Sequence, residues 1–220
     1  MKRVILVASA VAAVTTPAFA ATPVYNSAPA VGFHYGAGND YSPANAAVLR
    51  TGSDLLPEQE LSLRFHQTGE KAPASDANGV YSFALGTQPI SFDWGLTSYT
   101  GNIVPDFALI TVTNVGTGQT VSYNPFFPGN DNFKIGQQTA QNSARLNFGF
   151  LLGSGFTPNV DSTYRVNLAY AQDSISIDAV IGAGAGTAVP EPATWAMMIG
   201  GFGLLGAAAR RRVRTSVTYA

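Results

Sequence analysis

The chain has 220 residues, no cysteine, 46% hydrophobic residues and 11% charged ones. It is too apolar for a disordered polymer, lacks the repeats of collagen or a coiled coil, and has no thiols for a disulfide framework. The formal charge of −1 conceals basic ends around residues 21–189, where six basic and twelve acidic residues give −6; such a surface offers phosphates no clustered Lys and Arg, which excludes nucleic acid as a partner.

Residues 1–20 read as a secretory signal helix. Lys2 and Arg3 supply the positive start, residues 4–14 are apolar apart from Ser9, and Ala18-Phe19-Ala20 gives a small-x-small cleavage pattern. Signal peptidase is therefore expected to leave Ala21 as the first residue of the exported form.

The body, 21–181, reads as strands. Leu61, Leu63 and Phe65 alternate with Ser62, Arg64 and His66, and Ile90, Phe92, Trp94 and Leu96 alternate with Ser91, Asp93 and Gly95. The same period of two runs through 145–150, where Leu146, Phe148 and Phe150 are the apolar set, and through 164–170. Further strands are expected at 31–36, 80–85, 107–114, 119–124, 132–136 and 174–180. Turns fall at Asp76-Ala77-Asn78-Gly79, Thr117-Gly118, Pro128-Gly129-Asn130 and Thr157-Pro158-Asn159. Residues 38–60 give the weakest signal, and 42–49 fit a short helix or an ordered loop. About ten short strands with one apolar face each predict an all-β fold of two antiparallel sheets packed as a jelly-roll-like sandwich, with an immunoglobulin-like sandwich as the second choice. Residues 182–189, rich in Gly and Ala, read as a linker.

Few residues in the body suit catalysis. Only His34 and His66 could act as a base toward a nucleophile, and His66 on a polar strand face is expected to be exposed. Gly153-Ser154-Gly155 lacks the flanks of a nucleophile elbow. Glu58 with Glu60, and Asp173 with Asp178, could pair as glycosidase acids do. Asn130-Asp131-Asn132, after Pro125-Phe126-Phe127-Pro128-Gly129, offers oxygen ligands and aromatics in one loop, without the spacing of a calcium loop. Trp94 and Tyr99 could stack on a sugar, but Trp94 shares a face with Ile90, Phe92 and Leu96 and is expected in the core. No catalytic residue, metal ligand set or cofactor is expected.

The C-terminus carries a second membrane signal. Residues 193–209 run for 17 positions without a charge, with Trp195, Ala196, Met197 and Met198 near the start, and Arg210, Arg211, Arg212 and Arg214 follow. A helix of that length spans about 25 Å, close to the hydrocarbon thickness when Trp and Arg anchor its ends. The arginines stop transfer and place the tail, 213–220, in the cytoplasm. Gly200, Gly201, Gly203 and Gly206 weaken a helix in water and are tolerated in a bilayer.

Pro190-Glu191-Pro192 precedes this span. Pro-Glu-Pro, an apolar stretch and an arginine cluster, in that order over 190–212, resemble the PEP-CTERM sorting domain. The resemblance implies processing by exosortase, an inner-membrane protease-transpeptidase of Gram-negative bacteria. It also implies transient anchoring in the inner membrane, release to the cell surface, and an association with exopolysaccharide. Val213 to Ala220 continue past the point where such tails usually end. The expectation is a non-catalytic exported surface or matrix protein. The alternatives are a carbohydrate- or calcium-binding module and, more remotely, a secreted hydrolase.

Overall fold

The computed structural model describes residues 21–30, 32–33, 42–52, 57–127, 134–135 and 137–182. The signal segment, most of the linker, the PEP motif, the apolar span and the arginines lie outside the described residues.

Eleven strands are described: β1 (Val24–Ser27), β2 (Ala46–Gly52), β3 (Pro57–Gln67), β4 (Val80–Phe83), β5 (Ile90–Ser98), β6 (Ala108–Asn114), β7 (Thr120–Tyr123), β8 (Lys134–Ile135), β9 (Thr139–Arg145), β10 (Ser162–Tyr170) and β11 (Asp173–Ile181). They form a six-stranded sheet in the order β1-β2-β3-β5-β9-β8 and a five-stranded sheet in the order β4-β11-β10-β6-β7. The fold is all-β as expected, but one sheet is mixed: β4 pairs with β11 in parallel. The chain reaches β4 by crossing from the first sheet, so no tight hairpin forces it antiparallel.

Period-two alternation builds the core between the sheets. Leu61, Leu63 and Phe65 from β3 and Phe92, Trp94 and Leu96 from β5 are buried on one side. Tyr164, Val166 and Leu168 from β10 and Ile175, Ile177 and Ile181 from β11 are buried on the other. All belong to one cluster, and removing such side chains from water is the main favourable contribution to folding. Trp94 is 2% exposed and packs its ring 5.8 Å from that of Phe126, so its expected place in the core is correct.

Several elements differ from expectation. Residues 145–150 are not a strand: β9 ends at Arg145, and Phe148 N and Leu151 N donate to the carbonyls of Arg145 and Phe148 in successive turns. The alternating aromatics there stack on one another, Phe148 against Phe150 at 5.6 Å and Phe150 against Tyr123 at 5.6 Å, instead of lining a pleat. Residues 46–52 form β2 rather than a helix or loop, because Ala46 to Leu49 are buried on both faces and therefore show no alternation. Strand β1 had no counterpart in the expected set. Residues 32–33 are not strand, and the rest of the expected strand at 31–36 lies outside the described residues. Among the described residues no helix is long and apolar enough to cross a membrane.

Candidate functional site

The face of the six-stranded sheet turned away from the core carries a buried cluster of ionisable groups. The alternation that sends Leu61, Leu63 and Phe65 inward turns Glu60, Ser62, Arg64 and His66 to this opposite face. The register places Asp93 directly across from Arg64 and Ser91 across from His66. Arg64 Nε donates to Asp93 Oδ2 at 2.6 Å, and His66 Nε2 lies 3.1 Å from Asp93 Oδ1. All three side chains are 0% exposed.

His66 is thus buried, contrary to its expected exposure. The cause is a second layer laid over this face, formed among the described residues by Ala28–Ala30, Phe33 and Ser42–Ala46. Arg64 Nη1 donates to the carbonyls of Ser42 and Ala44, and the guanidinium lies 4.5 Å from the Phe33 ring centre. Phe33 also packs with Ala46 and Val48 as a small apolar cluster. Beside it, Glu60 accepts from Ala30 N at 2.8 Å and from Arg50 Nε at 2.6 Å. A Cβ on Gly95 would meet Ser62 Oγ, across the same sheet, at 2.5 Å but Phe33 Cε1 only at an ordinary 3.6 Å, so it is the close approach of Ser62 that calls for glycine.

Hydrogen bonding defines the charge state of His66. Its Nε2 faces a carboxylate and its Nδ1 lies 2.9 Å from the Gln67 carbonyl; both partners accept only, so both ring nitrogens donate. Burial, the largest single influence, lowers the imidazole pKa. The hydrogen bond and charge of Asp93 and the Gln67 carbonyl outweigh burial and the opposing charge of Arg64, and the net shift is upward from 6.5. Ser91, His66 and Asp93 are neighbours, but they do not form a catalytic triad. Ser91 Oγ pairs with Thr68 Oγ1 at 2.6 Å, and the second imidazole nitrogen is taken by a carbonyl. The cluster's chemistry is to clamp the covering segment onto the sheet.

The other candidate residues are dispersed. Glu58 is exposed while Glu60 is buried against Arg50, so they do not act as an acid pair. Asp173 accepts from Gln59 at one end of β11, and Asp178 accepts two 2.8 Å hydrogen bonds from Arg165 on the strand's opposite face. Gly153–Gly155 form a short 3-10 turn. Trp94 lies in the core and Tyr99 at the surface, so they share no platform. His34 and Asn130-Asp131-Asn132 fall outside the described residues, and among the described residues no group of three His, Cys, Asp or Glu could hold a metal.

The loop aromatic Phe127 is exposed, and so is Phe107, which lies in a 3-10 turn before β6 and not in the strand expected at 107–114. Phe107 is 57% and Phe127 70% exposed. Neither alternates with polar neighbours, so periodicity gave no signal of exposure; each follows a proline by two residues.

The β-sandwich body is followed in sequence by a stretch that is apolar over 193–209 and basic from Arg210. Residues 188–212 match the PEP-CTERM protein-sorting motif. The chain therefore carries a PEP-CTERM sorting motif, which implies an exported protein, anchored at the membrane before processing and sorted to the cell surface through exosortase. The match takes in Pro190, Glu191, Pro192, Trp195, Ala196, Met197, Met198, Arg210, Arg211 and Arg212; Arg214 lies beyond it. No curated protein matches the chain.

Proposed function

We propose that this protein is a non-catalytic component of the bacterial cell surface or extracellular matrix, associated with exopolysaccharide. The observation that carries the reading is the sorting match at 188–212, which begins six residues after the last described residue, Gly182. Signal peptidase cuts after Ala20, the apolar span 193–209 holds the precursor in the inner membrane, and the arginines fix its orientation. Exosortase then acts near Pro190-Glu191-Pro192. A non-catalytic body is supported by where its polar groups are committed: Arg64, Asp93 and His66 to one another and to the cover, Glu60 to Arg50, Asp178 to Arg165.

Substituting Pro190, Glu191 and Pro192 together by Ala tests the sorting role. The variant should accumulate in the inner-membrane fraction at full precursor length, while the wild type reaches the surface. Surface delivery of the variant at the wild-type level would defeat the reading.

A further inference from the structure

We propose that the rim of the sandwich from which the chain departs toward the sorting segment docks on the lipid surface of the membrane that anchors the precursor. This rests on the anchored state read from residues 188–212 and adds to it the face of the body that meets the bilayer.

Four adjoining strands of the five-stranded sheet, in the order β4-β11-β10-β6, end together at this rim. Phe83 of β4 is registered with Ile181 of β11, Ile181 with Ser162 of β10, and Tyr164 of β10 with Asn114 of β6. Just past these ends stand Leu85 after β4, Gly182 after β11, Val160 before β10 and Val115 after β6. Leu85 is 42%, Val160 55% and Val115 47% exposed. Neighbouring strands lie about 4.8 Å apart, so the three apolar residues share one rim roughly 15 Å long.

Hydrogen bonds across the rim hold it together. Gly86 N donates to Pro158 O at 2.7 Å, Gly182 N to Phe83 O at 3.1 Å and Val115 N to Thr163 O at 2.8 Å. Ser162 Oγ donates to Val160 O at 3.1 Å. The apolar tips therefore sit on pinned backbone and need little ordering to meet a surface.

The chain itself selects the occupant. It leaves the body at Gly182, inside the rim, between the strand that leads to Leu85 and the strand that follows Val160. Ten residues, 183–192, separate Gly182 from the uncharged run at 193–209, and they reach at most about 35 Å. The far end of β11, at Asp173, lies about 25 Å from the exit. A tether of this length holds the rim at high effective concentration against the bilayer, so contacts too weak to recruit a free domain suffice.

Charge is consistent with that occupant. Residues 84–89, 115–118 and 157–161 contain one ionisable residue, Asp161. With no Lys or Arg there, the rim draws nothing from anionic lipid. Aliphatic tips interspersed with Thr87, Thr117 and Asn159 suit a zwitterionic interface, where Leu and Val enter the acyl boundary and the polar groups meet headgroups.

The test exploits the absence of cysteine from the chain. Full-length L85C, V115C and V160C each carry one environment-sensitive fluorophore. F107C is the comparison at the opposite end, where Ala108 is registered with Tyr170 and Tyr170 with Asp173. Each is reconstituted into phosphatidylcholine–phosphatidylethanolamine vesicles with or without doxyl-labelled lipid. Quenching at 85, 115 and 160 should exceed that at 107 at least threefold. L85S/V160S should at least halve the quenching of the V115C label, with far-UV circular dichroism unaltered. Equal quenching at both ends, stronger quenching at 107, or a V115C signal unmoved by L85S/V160S overturns the proposal. So does the absence of quenching, the result expected if a second copy covers the rim instead of lipid. A chain that floats with the vesicles but is not quenched defeats the proposal alone, whereas a chain that does not float defeats the anchored state and the proposal with it.

Discussion

Substituting Asp93 by Ala separates buried from exposed ion pairing in this fold. Asp93 accepts from both Arg64 and His66, all three at 0% exposure. Without it Arg64 keeps its bonds to the Ser42 and Ala44 carbonyls, but the His66 Nε2 proton loses its acceptor and the cluster loses its carboxylate. Removing one partner of a buried pair costs about 3–5 kcal/mol, a large share of the roughly 5–15 kcal/mol that holds a domain folded. The Arg165–Asp178 bridge has the better geometry, two hydrogen bonds of 2.8 Å, yet the Arg165 side chain is 54% exposed. Exposed pairs contribute about 0–1 kcal/mol, so D178A should shift stability by less than about 1 kcal/mol. Urea unfolding of residues 21–189, followed by the fluorescence of Trp94, the one tryptophan in that span, measures both. D93A should lower the midpoint by about 2 M at a slope near 2 kcal/mol/M, with the slope unchanged. Equal midpoint shifts for D93A and D178A would refute the reasoning.

The raised pKa of His66 predicts how stability depends on pH. Below 6.5 the imidazole is protonated in both folded and unfolded chains and its full contribution is present; that contribution is lost as pH rises through the higher folded value. Unfolding midpoints between pH 5.5 and 9 should therefore fall above about 6.5, and H66Q, which keeps an amide donor but does not titrate, should flatten the curve; an identical pH profile for H66Q would count against the imidazolium. Gly95→Ala should destabilise by about 1–3 kcal/mol, because its Cβ would lie 2.5 Å from Ser62 Oγ. Adding Ser62→Ala should recover part of that loss in the same urea assay, and strictly additive effects would place the strain elsewhere.

The strands that were legible in the sequence are those with one wet and one dry face. On β10 the buried Tyr164, Val166 and Leu168 alternate with more exposed Arg165, Asn167 and Ala169, and the period is plain. Strand β2 hides because Ala46 to Leu49 are buried on both sides, beneath the covering segment and against the core. Strand β9 hides because Thr139 to Arg145 are small or polar although most are buried, with Asn142 placed opposite Trp94. His66 was misjudged for the same reason as β2: alternation identifies which face a residue takes, but not whether a distant segment covers that face. The exposure of Phe107 was invisible because it is set by the turn before β6, which no periodicity encodes. The sorting segment was fully legible, since its three parts are consecutive in the chain and need no tertiary structure to be read.

The most direct measurement of the central claim is the intact mass of the surface-exported protein from cells with and without exosortase. With the enzyme present, the mass should correspond to a chain that begins at Ala21 and lacks residues 193–220, plus any group joined at the cut. Without it, the surface fraction should be depleted and the membrane fraction should carry the chain from Ala21 to Ala220. Identical masses in both strains, with residues 193–220 retained, would contradict exosortase processing and leave a permanently anchored protein.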